Sequence, residues 1–214
     1  MRPSRSRLVG VVALVAGCPG TRTTGTPACP MDRTVLITGQ DDVKDHAACT
    51  ALSSLTIRSG AALDLSALRA LTSITGDLQI GPTVGMEELQ LPELRSVGGT
   101  IKIESNGLLR GMFLPRLERA GRVDVEANGS LTTIAMPRLA EVQGTLLITS
   151  NASLELIDLS ALVTVGKDLA IADNPVLALI EAGKVTAAQE LRIERNPKLP
   201  ADQVEAVRAK PPAP

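Results

Sequence analysis

The sequence predicts a mainly β fold, a right-handed parallel β-solenoid of about six to seven coils of 22 to 23 residues with short helical caps. Three observations predict it. An apolar residue recurs at Ile57, Ile80, Ile103, Val125, Ile148, Ile171 and Ile193, at intervals of 23, 23, 22, 23, 23 and 22. A second apolar residue stands two positions earlier, at Leu55, Leu78, Ile101, Val123, Leu146, Leu169 and Leu191. Asparagine follows three positions after the last five of these sites, at Asn106, Asn128, Asn151, Asn174 and Asn196. A fixed period of this length marks stacked units that each contact only their neighbours.

Each element of the coil has a physical reason. The apolar-x-apolar unit is a strand with one face inward. An inward asparagine at the following turn carries two amide donors and an acceptor. Stacked at a strand spacing of about 4.8 Å, it reaches the backbone of its own turn and of the next coil. Gly60 and Thr83 occupy the equivalent sites of the first two full coils, so those coils should be less regular. A second apolar set follows the turn: Leu89, Leu91, Leu94 and Val97; Leu109 or Met112, Leu114, Leu117 and Ala120; Leu131, Ile134, Met136, Leu139 and Val142; Leu154, Ile157, Leu159, Leu162 and Val165. Pro92, Pro115 and Pro137 mark a corner, because proline donates nothing to a ladder. Gly76, Gly99, Gly121 and Gly144 mark the return turn, where a positive φ is easiest for glycine. A lone coil buries too little to offset its ordering entropy, so only the array folds.

The ends divide the chain further. Arg2, Arg5 and Arg7 precede an apolar run from Leu8 to Ala16, too short to span a bilayer as a helix. Residues 1–17 therefore read as a signal peptide. Val15-Ala16-Gly17-Cys18 resembles a bacterial lipobox, with Cys18 as the lipidated residue. Pro19, rather than an aspartate, leans the sorting toward the outer membrane. Residues 18–28 are rich in Pro, Gly and Thr and read as the lipidated cysteine and a flexible tether. Cys29 and Cys49 then remain in an exported chain and are expected to pair, making 29–51 a disulfide-linked amino-terminal cap. Within it, Thr34 to Thr38 reads as a strand, and Asp41 or Asp42 can cap a short helix over Val43–Ala48. His46, the only histidine, is expected on its surface. The repeats fill 52–199, a cap helix 200–210, and 211–214 a disordered tail.

Composition narrows the chemistry. Phe113 is the only aromatic residue, which weakens functions that need stacking platforms. The formal net charge is −1, so no basic patch points to nucleic acid. Strand alternation turns Lys102, Glu104, Asp124 and Glu126 outward on two neighbouring coils. Such a cluster can bind Ca²⁺, or divide acid and base work as in carbohydrate-cleaving β-helices. It can equally be a solvated, self-compensating charged face that discourages lateral association. Asn128-Gly129-Ser130 and Asn151-Ala152-Ser153 match the glycosylation sequon, but both asparagines belong to the inward column. No catalytic, cofactor-binding or metal-binding residue is assigned.

Cys29, Asp41-Asp42 ahead of Cys49-Thr50, the run into Leu55-Thr56-Ile57, and repeats such as residues 98–121 (GGTIKIESNGLLRGMFLPRLERAG) resemble the receptor L-domain superfamily, a leucine-rich-repeat-like solenoid. The resemblance covers about residues 29–200 and implies a domain that binds proteins or supports a cell surface. No binding residue is carried over from it. The expectation is a non-enzymatic protein with no cofactor, and its capped ends favour a monomer. Its setting is the cell envelope, at the outer membrane, held by a lipid anchor, with an unknown protein or cell-surface ligand as partner. A structural spacer, and a carbohydrate-active or Ca²⁺-binding β-helix using the Lys102/Glu104/Asp124/Glu126 face, are the alternatives.

Overall fold

The computed structural model describes residues 29–83, 85–183, 185–187 and 189–207. The signal peptide, Cys18, the tether, the last three residues of the expected cap helix and the tail lie outside the described residues.

Three stacks of strands run along the molecule, all in parallel register. The first stack comprises Thr34–Ile37, Ser54–Ile57, Leu78–Ile80, Ser96–Glu104, Arg119–Glu126, Leu146–Thr149, Asp168–Ala172 and Glu190–Glu194. Its register places Ile57 on Ile80, Ile80 on Ile103, Ile103 on Val125, Val125 on Ile148, Ile148 on Ile171 and Ile171 on Ile193. A return stack of short strands includes Ala51–Leu52, Ser73–Ile74, Glu141–Val142 and Thr164–Val165. It merges with the first stack where Ser96–Glu104 and Arg119–Glu126 run through both, so the two form one 13-stranded sheet. A separate five-stranded sheet holds Glu88–Gln90, Gly111–Phe113, Thr133–Ala135, Leu156–Leu159 and Leu179–Ala182. The parallel solenoid expected from the period is therefore the fold.

The core is a stack of aliphatic layers. Leu78, Ile80, Leu89, Leu91, Leu94 and Val97 of one coil are buried, and so are their counterparts Ile101, Ile103, Met112, Leu114, Leu117 and Ala120 in the next. Leu109 is buried alongside Met112, so both fill the third coil.

Caps close both ends. The Cys29–Cys49 disulfide has a Cα–Cα distance of 5.3 Å. Between its halves, Thr34–Ile37 adds a further rung to the first stack. The helix that follows is Gln40–Asp45, earlier than the Val43–Ala48 expected. Gly39 is its N-cap, and Asp42 works from inside the first turn. Its carboxylate accepts the N–H groups of Thr38 (2.8 Å) and Gly39 (3.1 Å) and the Thr38 hydroxyl (2.9 Å). These donors, the Thr38 N–H first, hold the Asp42 carboxyl below the ordinary aspartate range. His46 is half-buried at the helix end, its Nδ1 2.8 Å from the Asp42 carbonyl. At the far end, helix Ala201–Val207 packs against Leu179–Ala182, with Val207 buried.

Gly76 and Gly144 lie in bends at the expected return turn, but neither has a positive φ. Among the described residues, the only glycine at positive φ is Gly81, at 121°. Gly99 and Gly121 lie inside continuous strands. What requires glycine there is close approach between coils. A Cβ on Gly121 would lie 2.3 Å from the Gly98 carbonyl oxygen, and one on Gly99 2.8 Å from that of Gly76. The amides of Gly99 and Gly144 donate to the carbonyls of Gly76 and Gly121 at 2.9 and 2.7 Å.

Candidate functional site

An inward column and an outward row carry the polar side chains of the first stack. In the column, Asn106, Asn128, Asn151, Asn174 and Asn196 are buried one above another. Asn128 shows the pattern. Its backbone N–H and Nδ2 donate to Asn151 Oδ1 at 3.1 and 3.2 Å. Nδ2 also donates to the Ile103 and Glu126 carbonyls, both at 3.0 Å. Its Oδ1 accepts the Asn106 N–H and Nδ2 at 3.1 and 2.9 Å.

Thr83 ends the column, donating its N–H and hydroxyl to Asn106 Oδ1 at 3.1 and 2.8 Å. In the first coil Gly60 is exposed, and Ser59 takes the inward place instead. The residue before each asparagine, Ser105, Ala127, Ser150, Asp173 or Arg195, has a φ between 54° and 59°. That left-handed turn swings the asparagine inward. Nothing in these residue types announces it, since glycine is the usual signal and is absent. Burial of Asn128 and Asn151 also keeps both sequon amides away from solvent.

The outward row includes Gln79, Lys102 and Asp124 in direct register. Glu104 and Glu126 sit side by side, a like-charge pair that Lys102 relieves. Lys102 Nζ lies 2.8 Å from a Glu104 oxygen. Glu104, then the charges of Glu126 and Asp124, hold its ammonium above the ordinary lysine range. Arg122 Nε donates to both oxygens of Asp124, at 2.9 and 2.8 Å. The four carboxylate and lysine positions thus meet on one face, with Glu104 and Asp124 already in ion pairs. Among the described residues, no three metal-ligating side chains gather into a group that could hold an ion.

A shallow cavity of about 390 Å³ opens on this face, lined by Asp77, Gln79, Thr100, Lys102, Arg122 and Asp124. Asp77 shapes its upper wall by accepting the Thr100 N–H at 2.7 Å. Asp77, Thr100 and Arg122 are the cavity residues that sequence reasoning missed. Arg122 shares outward parity with Asp124 and was open to the same alternation argument.

No helix among the described residues is long and apolar enough to cross a membrane. Comparisons with protein families, with curated proteins and with solved structures gave no match.

Proposed function

We propose that this chain is a non-enzymatic, lipid-anchored cell-envelope protein that displays a rigid receptor L-domain-like solenoid for protein or surface recognition. The observation that carries the reading is the outward row around the 390 Å³ cavity. Its side chains stand on strands whose backbones are bonded on both sides and whose inward neighbours are fixed by the asparagine column. Lys102, Arg122 and Asp124 therefore hold their positions before a partner arrives, which reduces the ordering cost of binding. Paired charges on a polar face suit recognition by exchange of ion pairs, where complementarity sets specificity and association rate.

Anchoring at Cys18 supplies the setting. Labelled palmitate should enter the parent chain and not Cys18→Ala. For the recognition role, the chain is cross-linked in an envelope extract beside a Lys102→Glu/Arg122→Glu variant. A reproducible partner of the parent, lost in the variant, is the expected result. A partner set identical in both would remove the outward row from the function.

A further inference from the structure

The first coil lacks a strand that the following five coils possess. Glu88–Gln90 begins the five-stranded sheet, and no strand of the first coil precedes it. The first coil is not shorter, because eleven positions separate Ile57 from Leu68 as they separate Ile80 from Leu91, and the Leu71 N–H donates to the Leu68 carbonyl as that of Leu94 does to Leu91. The stretch that would align with Glu88–Gln90 runs instead into the 3₁₀ helix Ser66–Ala70. The two chains still touch at Ala61, where a Cβ on Gly85 would lie 2.4 Å from the Ala61 carbonyl carbon. Beyond that point they part.

Asp64 is held from the opposite side. Its N–H donates to Gln40 Oε1 at 2.9 Å, and its carbonyl accepts Gln40 Nε2 at 2.8 Å. The cap helix thus supplies, with one side-chain amide, the pair of bonds that a neighbouring strand would supply. The Asp64 carboxylate accepts the Ser66 N–H at 2.8 Å, at the start of the 3₁₀ helix Ser66–Ala70. This bond holds its carboxyl below the ordinary range, so it is charged at neutral pH.

The parting leaves a cleft of about 650 Å³, whose lining includes Leu63, Asp64, Ser66, Arg69, Glu88 and Gln90. One wall is an open sheet edge. Leu91 donates its N–H to the Phe113 carbonyl, and the Glu87 carbonyl accepts from Arg110, so these positions face the next coil. By alternation, the backbone N–H and C=O of Glu88 and Gln90 face the cleft. The matching carbonyls one and two rungs on are paired: Phe113 accepts from Leu91, and Ala135 from Leu114. Charge sets the polarity of the cleft, with Asp64, Glu87 and Glu88 outnumbering Arg69.

We propose that this cleft takes an extended, basic segment of a partner protein, which enters as the absent rung and pairs with the backbone of Glu88 and Gln90. Main-chain bonds of this kind supply affinity independent of sequence, and the flanking carboxylates select lysine or arginine. The proposal rests on the recognition reading above and adds the partner's chemistry at a second surface.

Amide hydrogen exchange on the full chain tests it, followed residue by residue by NMR. The probes are a capped peptide, Lys-Thr-Val-Lys-Val-Thr-Lys, and its counterpart with every lysine replaced by glutamate. The lysine peptide should slow exchange at Glu88 and Gln90 saturably, by about tenfold or more, and less at high salt. Gln90→Pro removes only a cleft-facing N–H and should abolish the effect while the Leu89 and Leu91 amides stay protected. Glu88→Lys keeps the backbone and should weaken binding by about tenfold. Unchanged exchange at Glu88 and Gln90 would overturn the proposal. So would equal protection by the glutamate peptide, or protection that grows with protein concentration alone, which would make a second copy the occupant. If the peptide fails but the envelope partner is still lost in Lys102→Glu/Arg122→Glu, the cleft assignment falls and the recognition reading stands.

Discussion

Asn128 shows how much one side chain can carry when every rung repeats it. Removing its amide strands the Asn106 N–H in the core, leaves Asn106 Nδ2 with the Ile80 carbonyl alone, and frees the Ile103 carbonyl of its side-chain donor. Each buried unsatisfied group costs about 1–3 kcal/mol. Asn128→Ala is therefore expected to destabilise by about 3 kcal/mol or more in urea denaturation. Asn196 has a rung on one side only, so Asn196→Ala should cost distinctly less. Equal costs would mean that the column is not a cooperative ladder. The residue before it gives a second test. Ala127 holds a φ of 56°, a conformation that costs an L-residue about 1–2 kcal/mol. Ala127→Gly relieves this and should be neutral or stabilising, whereas Ala127→Val should lose more than about 1 kcal/mol in the same assay.

At the scale of elements, glycine spacing decides how closely coils stack. Gly121→Ala would drive a methyl into the Gly98 and Gly99 carbonyls, at 2.3 and 2.6 Å. The expected loss is about 1–3 kcal/mol, as for overpacked cores. Gly129→Ala meets nothing within 4 Å and sits at no positive φ, so it should be neutral or gain about 0.4–1 kcal/mol. Thermal melts of the two variants read the difference directly. The amino-terminal helix offers a pH test. Its Asp42 carboxylate is held below the ordinary value of about 3.9 by the Thr38 and Gly39 donors. A depressed carboxyl contributes stability above its unfolded value and loses it as pH falls through the folded one. Asp42→Asn should thus be less stable than the parent at pH 7, and the gap should close as the medium is acidified below about pH 4.

For the molecule as a whole, the stack and its layers were legible because period and alternation are properties of the chain itself. The recurring Ile57-to-Ile193 positions announced the register, and the outward parity of Lys102 and Asp124 announced the face. Features that depend on two coils at once were not legible. The left-handed turn at Ala127 and the close approach at Gly121 follow from what the neighbouring coil presents. The pairing of Arg122 with Asp124 joins two outward residues of one strand, and alternation gives their shared side but not the bend of the Arg122 side chain along the strand that brings Nε to the carboxylate. The Cys29–Cys49 bond closes the end from which the array begins, its halves 20 positions apart in sequence. Replacing both cysteines by serine should cost about 3 kcal/mol, measured as a shift of the denaturation midpoint.

Because each rung presents the same register to the rung on either side, the molecule has a natural unit of growth. Excising Leu146 to Asp168, one 23-residue period, would bring Leu169 onto Val123 and Asn174 onto Asn128, with every junction conserved in kind. Duplicating that stretch would do the same in the other direction. Length in such a chain is a copy number, changed in whole modules, whereas a residue added within a strand turns its inward side chains outward and has to be absorbed at a bulge, as the 22-residue interval from Ile103 to Val125 is.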